Sequence, residues 1–126
     1  MTQGIVLFAH GSRDSGWSRP LEALAAEVRR RDPAAEVVLA FLEFMKPSLE
    51  EALGGLAARK VESVRIVPVF LATGGHLRED LPRLVARASA AHPSMHIVVD
   101  APIGEQPGVI AAIAASISPP GGRSSP

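Results

Sequence analysis

Cysteine is absent from the 126-residue chain. Without thiols it can form neither a disulfide nor a thiolate metal site, and it cannot hold an iron–sulfur cluster by its own side chains. Any metal it binds must be held by nitrogen and oxygen. Aromatic side chains are scarce as well: four Phe, one Trp and no Tyr, so the stacking of a flat ligand falls mainly to aliphatic faces. Charge of one sign is missing too. Thirteen basic and thirteen acidic residues cancel and no block of like charge occurs, so the electrostatic footprint of a nucleic-acid binder is lacking. No stretch approaches the roughly 20 apolar residues that span a bilayer, and Met1 to Gly4 leads into a short apolar run with neither a basic n-region nor a cleavage site. A soluble, cytoplasmic protein with no membrane or nucleic-acid partner is expected. There is no P-loop, no G-x-G-x-x-G and no G-x-S-x-G, which removes local support for nucleotide binding and for a serine-hydrolase elbow.

Hydrophobic residues make up 47% of the chain, enough to bury the core of one domain but not of two. Gly4 to Ala9 is a continuous apolar run, the pattern of a strand covered on both faces, and turn chemistry follows from His10 to Gly16. Trp17, Leu21, Leu24, Ala25 and Val28 then keep helical spacing until Asp32-Pro33. Glu36 to Leu42 returns to a strand. Ser48 with Glu51 forms a capping box before Leu49, Leu53 and Leu56. Ser63 to Phe70 predicts a third strand, in which Pro68 is best tolerated at a bulge or an edge-facing position. Leu71 to His76 reads as a loop, and Leu77, Leu81, Leu84, Val85 and Ala88 as a helix ending near His92-Pro93. Met95 to Asp100 reads as a fourth strand, with Val109, Ile110, Ile113 and Ile117 lining a last helix. Residues 118–126, rich in Pro, Gly and Ser, have the composition of a disordered tail.

Four strand–helix units in succession predict an α/β domain over residues 1–117: a flavodoxin-like, four-stranded parallel sheet with helices on both faces. A strand order of 2-1-3-4 would set strands one and three side by side at the topological switch point, where such folds bind ligands. His10, Glu43 and His76 each follow an apolar run at equal steps of 33 residues (43 − 10 and 76 − 43). That spacing sends all three to the C-terminal edge of the sheet. Two imidazoles and a carboxylate there suit a divalent transition metal, while Glu43 could instead be a solvated carboxylate or a partner for Lys46. Arg13, Arg19 and Arg78 surround the same edge and could receive carboxylates or phosphates, and Gly74-Gly75 before a helix could form an anion nest. His92 and His96 lie away from it and read as structural. A phosphatase with a histidine nucleophile after strand one would place an arginine just before that histidine, where Ala9 stands.

Phe8-Ala-His10-Gly-Ser-Arg13, Phe41-Leu-Glu43 with Pro47-Ser-Leu-Glu-Glu-Ala52, and Pro68-Val-Phe-Leu-Ala-Thr-Gly-Gly-His76 with Asp80-Leu-Pro82 together resemble the class II chelatases of tetrapyrrole synthesis. The likeness is to the short, CbiX-type sirohydrochlorin chelatases, and Pro102-Ile-Gly104 with Gln106-Pro107 resembles their terminal motif. Gly16-Trp17-Ser18 departs from the polar residues more usual there. The resemblance implies a chelatase-like fold and insertion of Co²⁺, Fe²⁺ or Ni²⁺ into sirohydrochlorin, for cobalamin or siroheme biosynthesis. It implies no permanently bound cofactor, the metal being a substrate, and it implies a homodimer. His10 and His76 would be catalytic, with His10, Glu43 and His76 meeting the metal and Ser12, Arg13, Arg19, Gly74, Gly75 and Arg78 contacting the tetrapyrrole. One histidine would accept pyrrole protons and the other would hold the metal; His10 is assigned the first role and His76 the second, an assignment that could be reversed. Leu42, Leu71 and Leu77 would offer apolar faces to the macrocycle. A non-catalytic metal carrier or regulatory subunit would keep the same His/Glu/His set.

Overall fold

The four apolar runs become four strands joined edge to edge. The computed structural model describes residues 2–72 and 74–121 and places β1 at Gln3–Ala9, β2 at Glu36–Phe41, β3 at Ser63–Pro68 and β4 at His96–Val99. They lie in the order β2-β1-β3-β4 with every neighbouring pair parallel, as the sequence pattern leads one to expect. Alternation along each strand sorts the side chains between two faces. Val6, Phe8, Ala40, Val64 and Ile66 meet Leu49, Leu53 and Leu56 of α2 (Leu49–Ala58) and Leu77, Leu81 and Ala88 of α3 (Gly75–Ala91). Ile5, Leu7, Val37 and Val67 turn to the opposite face, where Ala25 and Val28 of α1 (Arg19–Arg31) cover them. Two apolar layers around one sheet make a single domain.

Several element ends differ from the sequence reading, each for a local reason. β3 stops at Pro68, two residues short of Phe70. Val69 donates to the Phe8 carbonyl at 2.8 Å, so by alternation Pro68 turns its nitrogen toward the β4 side, level with the end of that short edge strand, and the missing N–H breaks no ladder. Trp17 is not helical in the α sense: it sits 37% exposed in a 3-10 turn, Ser15–Ser18. Asp14 opens this turn by accepting from the Gly16 amide at 2.9 Å, and Pro20 then occupies the first turn of α1, where its missing N–H costs nothing. At the other end of α1, Arg29 donates to the Val37 carbonyl at 2.8 Å, tying the helix to β2. Glu27, held by the Arg30 and then the Arg31 guanidinium, has its carboxyl pulled down to about 2.

α2 begins as its sequence dictates. Glu51 N–H donates to Ser48 Oγ at 3.1 Å, and Ser48 N–H donates to Glu51 Oε1 at 2.9 Å. α3 starts earlier than its leucine spacing suggests, because the Gly74 carbonyl already accepts from the Arg78 amide at 3.0 Å. His76 is therefore in the first turn of a helix and not in a loop. α4 (Pro107–Ile117) forms where expected, but its apolar residues do not line a core: none is buried, and Ile110, Ile113 and Ile117 are exposed. Residues 118–121 carry no helix or strand; residues 122–126 of the expected tail lie outside the described residues.

Candidate functional site

Because the strands are parallel, the segments after β1, β2 and β3 emerge at one edge of the sheet, and α1, α2 and α3 all begin there. Three helix N-termini direct their positive dipole ends to this edge, which suits an acidic ligand. β1 and β2 remain paired beyond their formal ends: Leu42 N–H donates to the Ala9 carbonyl at 2.8 Å, and Glu43 N–H to the His10 carbonyl at 3.0 Å. That extension sets the backbones of His10 and Glu43 side by side. Gly11 makes it possible. It holds φ +91°, and a Cβ at this position would stand 1.9 Å from the Glu43 carbonyl oxygen, so only glycine fits.

The His10 imidazole is exposed and rests on the Phe70 ring, with centroids 4.6 Å apart and planes inclined by 55°. Phe8 meets the same Phe70 ring edge-on at 6.1 Å. Glu43 is exposed and makes no ion pair among the described residues, so a bridge to Lys46 is not formed. His76 is exposed in the first turn of α3. All three expected metal ligands thus reach the C-terminal edge, yet among the described residues no three His, Cys, Asp or Glu side chains are gathered closely enough to hold a metal together. The expected three-ligand site is not pre-assembled. The strand-end pairing joins His10 to Glu43, whereas His76 is set by a different element, the start of α3.

The expected substrate contacts divide by what holds them. Ser12 Oγ accepts from the Asp14 amide at 3.0 Å and so shapes its own loop. The Arg13 guanidinium carbon stands 4.7 Å from the centroid of the Phe44 ring, a cation–π contact. Arg19 is exposed at the first position of α1, and Gly74 and Gly75 are exposed at the start of α3. Arg78 borders an open, apolar cleft of about 460 Å³ between α3 and the end of β4, with Leu77, Leu81, Val85, Val99 and Asp100 among its walls. Of the three leucines expected to face a macrocycle, Leu71 is 72% exposed, Leu42 is half-buried against the core, and Leu77 is buried within it. The strand-end pattern foretells none of that burial.

Two contributors escaped the sequence reading, and a third was seen only as part of a terminal motif. Phe70 reads there as one more core residue; the signal is register, since Phe8 pairs with Pro68 and two further residues bring His10 opposite Phe70. Phe44 is the second. Its φ of 67° is unusual for a bulky residue, and it leaves the ring 56% exposed beside Glu43. Gly104 is the third: a Cβ there would lie 2.3 Å from the Leu71 backbone, and its N–H donates to the Phe70 carbonyl at 2.9 Å. The Pro102-Ile-Gly104 segment thus fastens the chain leaving β3.

The fold is shared with solved structures. A protein from Marinobacter aquaeolei VT8, described as a cobalamin (vitamin B12) biosynthesis CbiX protein, superposes with a TM-score of 0.81 at 35% identity over 91% of this chain and 93% of its own. The sirohydrochlorin chelatase SirB from Bacillus subtilis subspecies spizizenii, determined in complex with cobalt, superposes with a TM-score of 0.80 at 27% identity. That match covers 93% of this chain and 50% of SirB. In sequence, the sirohydrochlorin cobaltochelatase of Saccharolobus solfataricus is 38% identical over 82 residues, 65% of this chain. The aligned segment spans 62% of that relative's length. The CbiX family profile matches residues 4–119, from the second residue of β1 to beyond α4, and so takes in every strand and helix described above. The chain belongs to the CbiX family.

Proposed function

We propose that the chain is a sirohydrochlorin chelatase that inserts a divalent metal, Co²⁺ or Fe²⁺ and by the same donor chemistry Ni²⁺, into the tetrapyrrole. The observation that carries the reading is the juxtaposition of His10 and Glu43 at the strand ends, beside the N-terminus of α3 that bears His76, in a chain of the CbiX family. Similarity to a relative named sirohydrochlorin cobaltochelatase and to a chelatase determined with cobalt supports the choice of substrate. Supply decides among the metals, since all three accept nitrogen and oxygen donors; the product enters cobalamin or siroheme synthesis accordingly.

Metallation of a free-base macrocycle removes two pyrrole protons and strips water from the metal. Histidine titrates close enough to neutrality to accept a proton and binds metals reversibly. We assign the proton-accepting role to His10, metal capture to His76, and a second metal contact or a proton outlet to Glu43. Among the described residues no three such side chains are gathered into one coordination sphere, and the macrocycle nitrogens would supply the donors that complete the metal's shell. Ser12, Arg13, Arg19, Arg78 and the Gly74-Gly75 turn receive the peripheral carboxylates, aided by the helix N-termini at this edge. No helix among the described residues is long and apolar enough to cross a membrane, and we place the activity in the cytoplasm with no permanently bound cofactor. A second copy of the chain is the partner, its wall completing a shallow cleft.

The deciding experiment mixes the purified protein with sirohydrochlorin and Co²⁺ or Fe²⁺ and follows the absorption spectrum against a protein-free control. Acceleration of the spectral change is expected. A metal carrier would bind the ion without speeding that change.

A further inference from the structure

All four phenylalanines of this aromatic-poor chain, Phe8, Phe41, Phe44 and Phe70, fall within the last residues of β1 and β2 or just past the ends of β2 and β3. Two of them form a stack that ends on His10. Phe8 is fully buried and meets Phe70 edge-on at 6.1 Å and 77°. Phe70, 6% exposed, carries the His10 ring at 4.6 Å. The arrangement follows from register: side chains two residues apart on a strand point the same way, so Phe8 and His10 share a face, and the Phe8–Pro68 pairing carried two residues on sets Phe70 opposite His10. Phe70 is itself pinned, its carbonyl accepting from Gly104 N–H at 2.9 Å. An exposed histidine just past a strand end ordinarily samples several rotamers. This one has a rigid, buried surface under one side of the ring.

We propose that Phe70 is a positioning residue that fixes the orientation of the His10 imidazole at the sheet edge. Its value for metal insertion rests on the reading of His10 as the proton acceptor; the orientation itself does not. A ring held in one pose presents its nitrogens in a constant direction, and a misplacement of about 1 Å in such a group can lower a rate by roughly a hundredfold.

The test uses the full chain with Phe70→Leu, which keeps an apolar side chain and removes the ring, and Phe70→Tyr, which keeps the ring. The four histidines give a small, resolvable set of imidazole C–H signals by NMR. In the parent protein the His10 signals should be displaced by the Phe70 ring current. Phe70→Leu should move them toward random-coil positions while the His76, His92 and His96 signals stay in place, and Phe70→Tyr should restore them. In the metal-insertion assay Phe70→Leu should lower kcat about tenfold or more with KM for the tetrapyrrole unchanged, and Phe70→Tyr should recover it. His10 signals indifferent to Phe70→Leu, in a protein whose amide spectrum shows it folded, would overturn the proposal. If the parent protein does not accelerate insertion at all, the chelatase reading fails while the NMR arm still decides whether Phe70 orients His10.

Discussion

Gly11 illustrates how a single residue can be required by the site and not by the core. Its φ of +91° and the 1.9 Å that would separate a Cβ from the Glu43 carbonyl oxygen mean that Gly11→Ala must part the His10 and Glu43 backbones. A loss of more than about 1 kcal/mol in urea unfolding is expected, together with a fall in metal-insertion rate. The exposed imidazoles behave in the opposite way. His10→Ala and His76→Ala should leave circular dichroism and the unfolding midpoint near the parent values, whereas truncating a buried leucine such as Leu53 should cost roughly 2–5 kcal/mol. Both histidine variants should lose most metal insertion, and a variant at near-parental rate would remove that histidine from the mechanism. The placement of His10, Glu43 and His76 at one edge was legible because the end of an apolar run marks the edge of a parallel sheet. Phe70 was not, because a ring in such a run reads as core whether it braces a side chain at the edge or not, and Phe44 was not, because its exposure depends on a left-handed backbone that a bulky residue does not announce.

At the level of the element, the capping box was plain in the sequence since both of its bonds are local. Ser48→Ala removes the acceptor for the Glu51 amide and should lower stability by about 1 kcal/mol, read as a shift of the denaturant midpoint at constant slope. Strand order was legible from alternating strands and helices, because crossover handedness leaves few arrangements. Element ends were harder. Leucine spacing reports where α3 becomes buried, at Leu77, while the helix begins with exposed Gly75 and His76. α4 shows the same limit from the other side. Helical periodicity reveals an apolar stripe along Ile110, Ile113 and Ile117, but not which surface should cover it, and among the described residues no side chain of α4 is buried.

For the whole molecule the exposed face of α4 bears on assembly. An uncharged helix that exposes Ile110 and Ile113 is a natural place for apolar burial between copies, in accord with the homodimer proposed above. Light scattering at micromolar concentration should return a mass near twice 13.2 kDa, and a fully active monomer under those conditions would refute a shared cleft. Residues 118–126 offer almost nothing to bury, so deleting them should change neither melting temperature nor activity; a marked fall in either would show that the segment docks. The Gly104 contact, meanwhile, makes the site depend on a segment that is synthesised late. Domains generally fold as units, and β1, β2 and β3 have all been made once Pro68 has emerged. Until β4 and Gly104 follow, however, the outer edge of β3 is unpaired and the loop leading to His76 has no clasp. A nascent chain that ends short of Gly104 therefore carries three of its strands without the clasp, and that is when it most needs shielding from its neighbours.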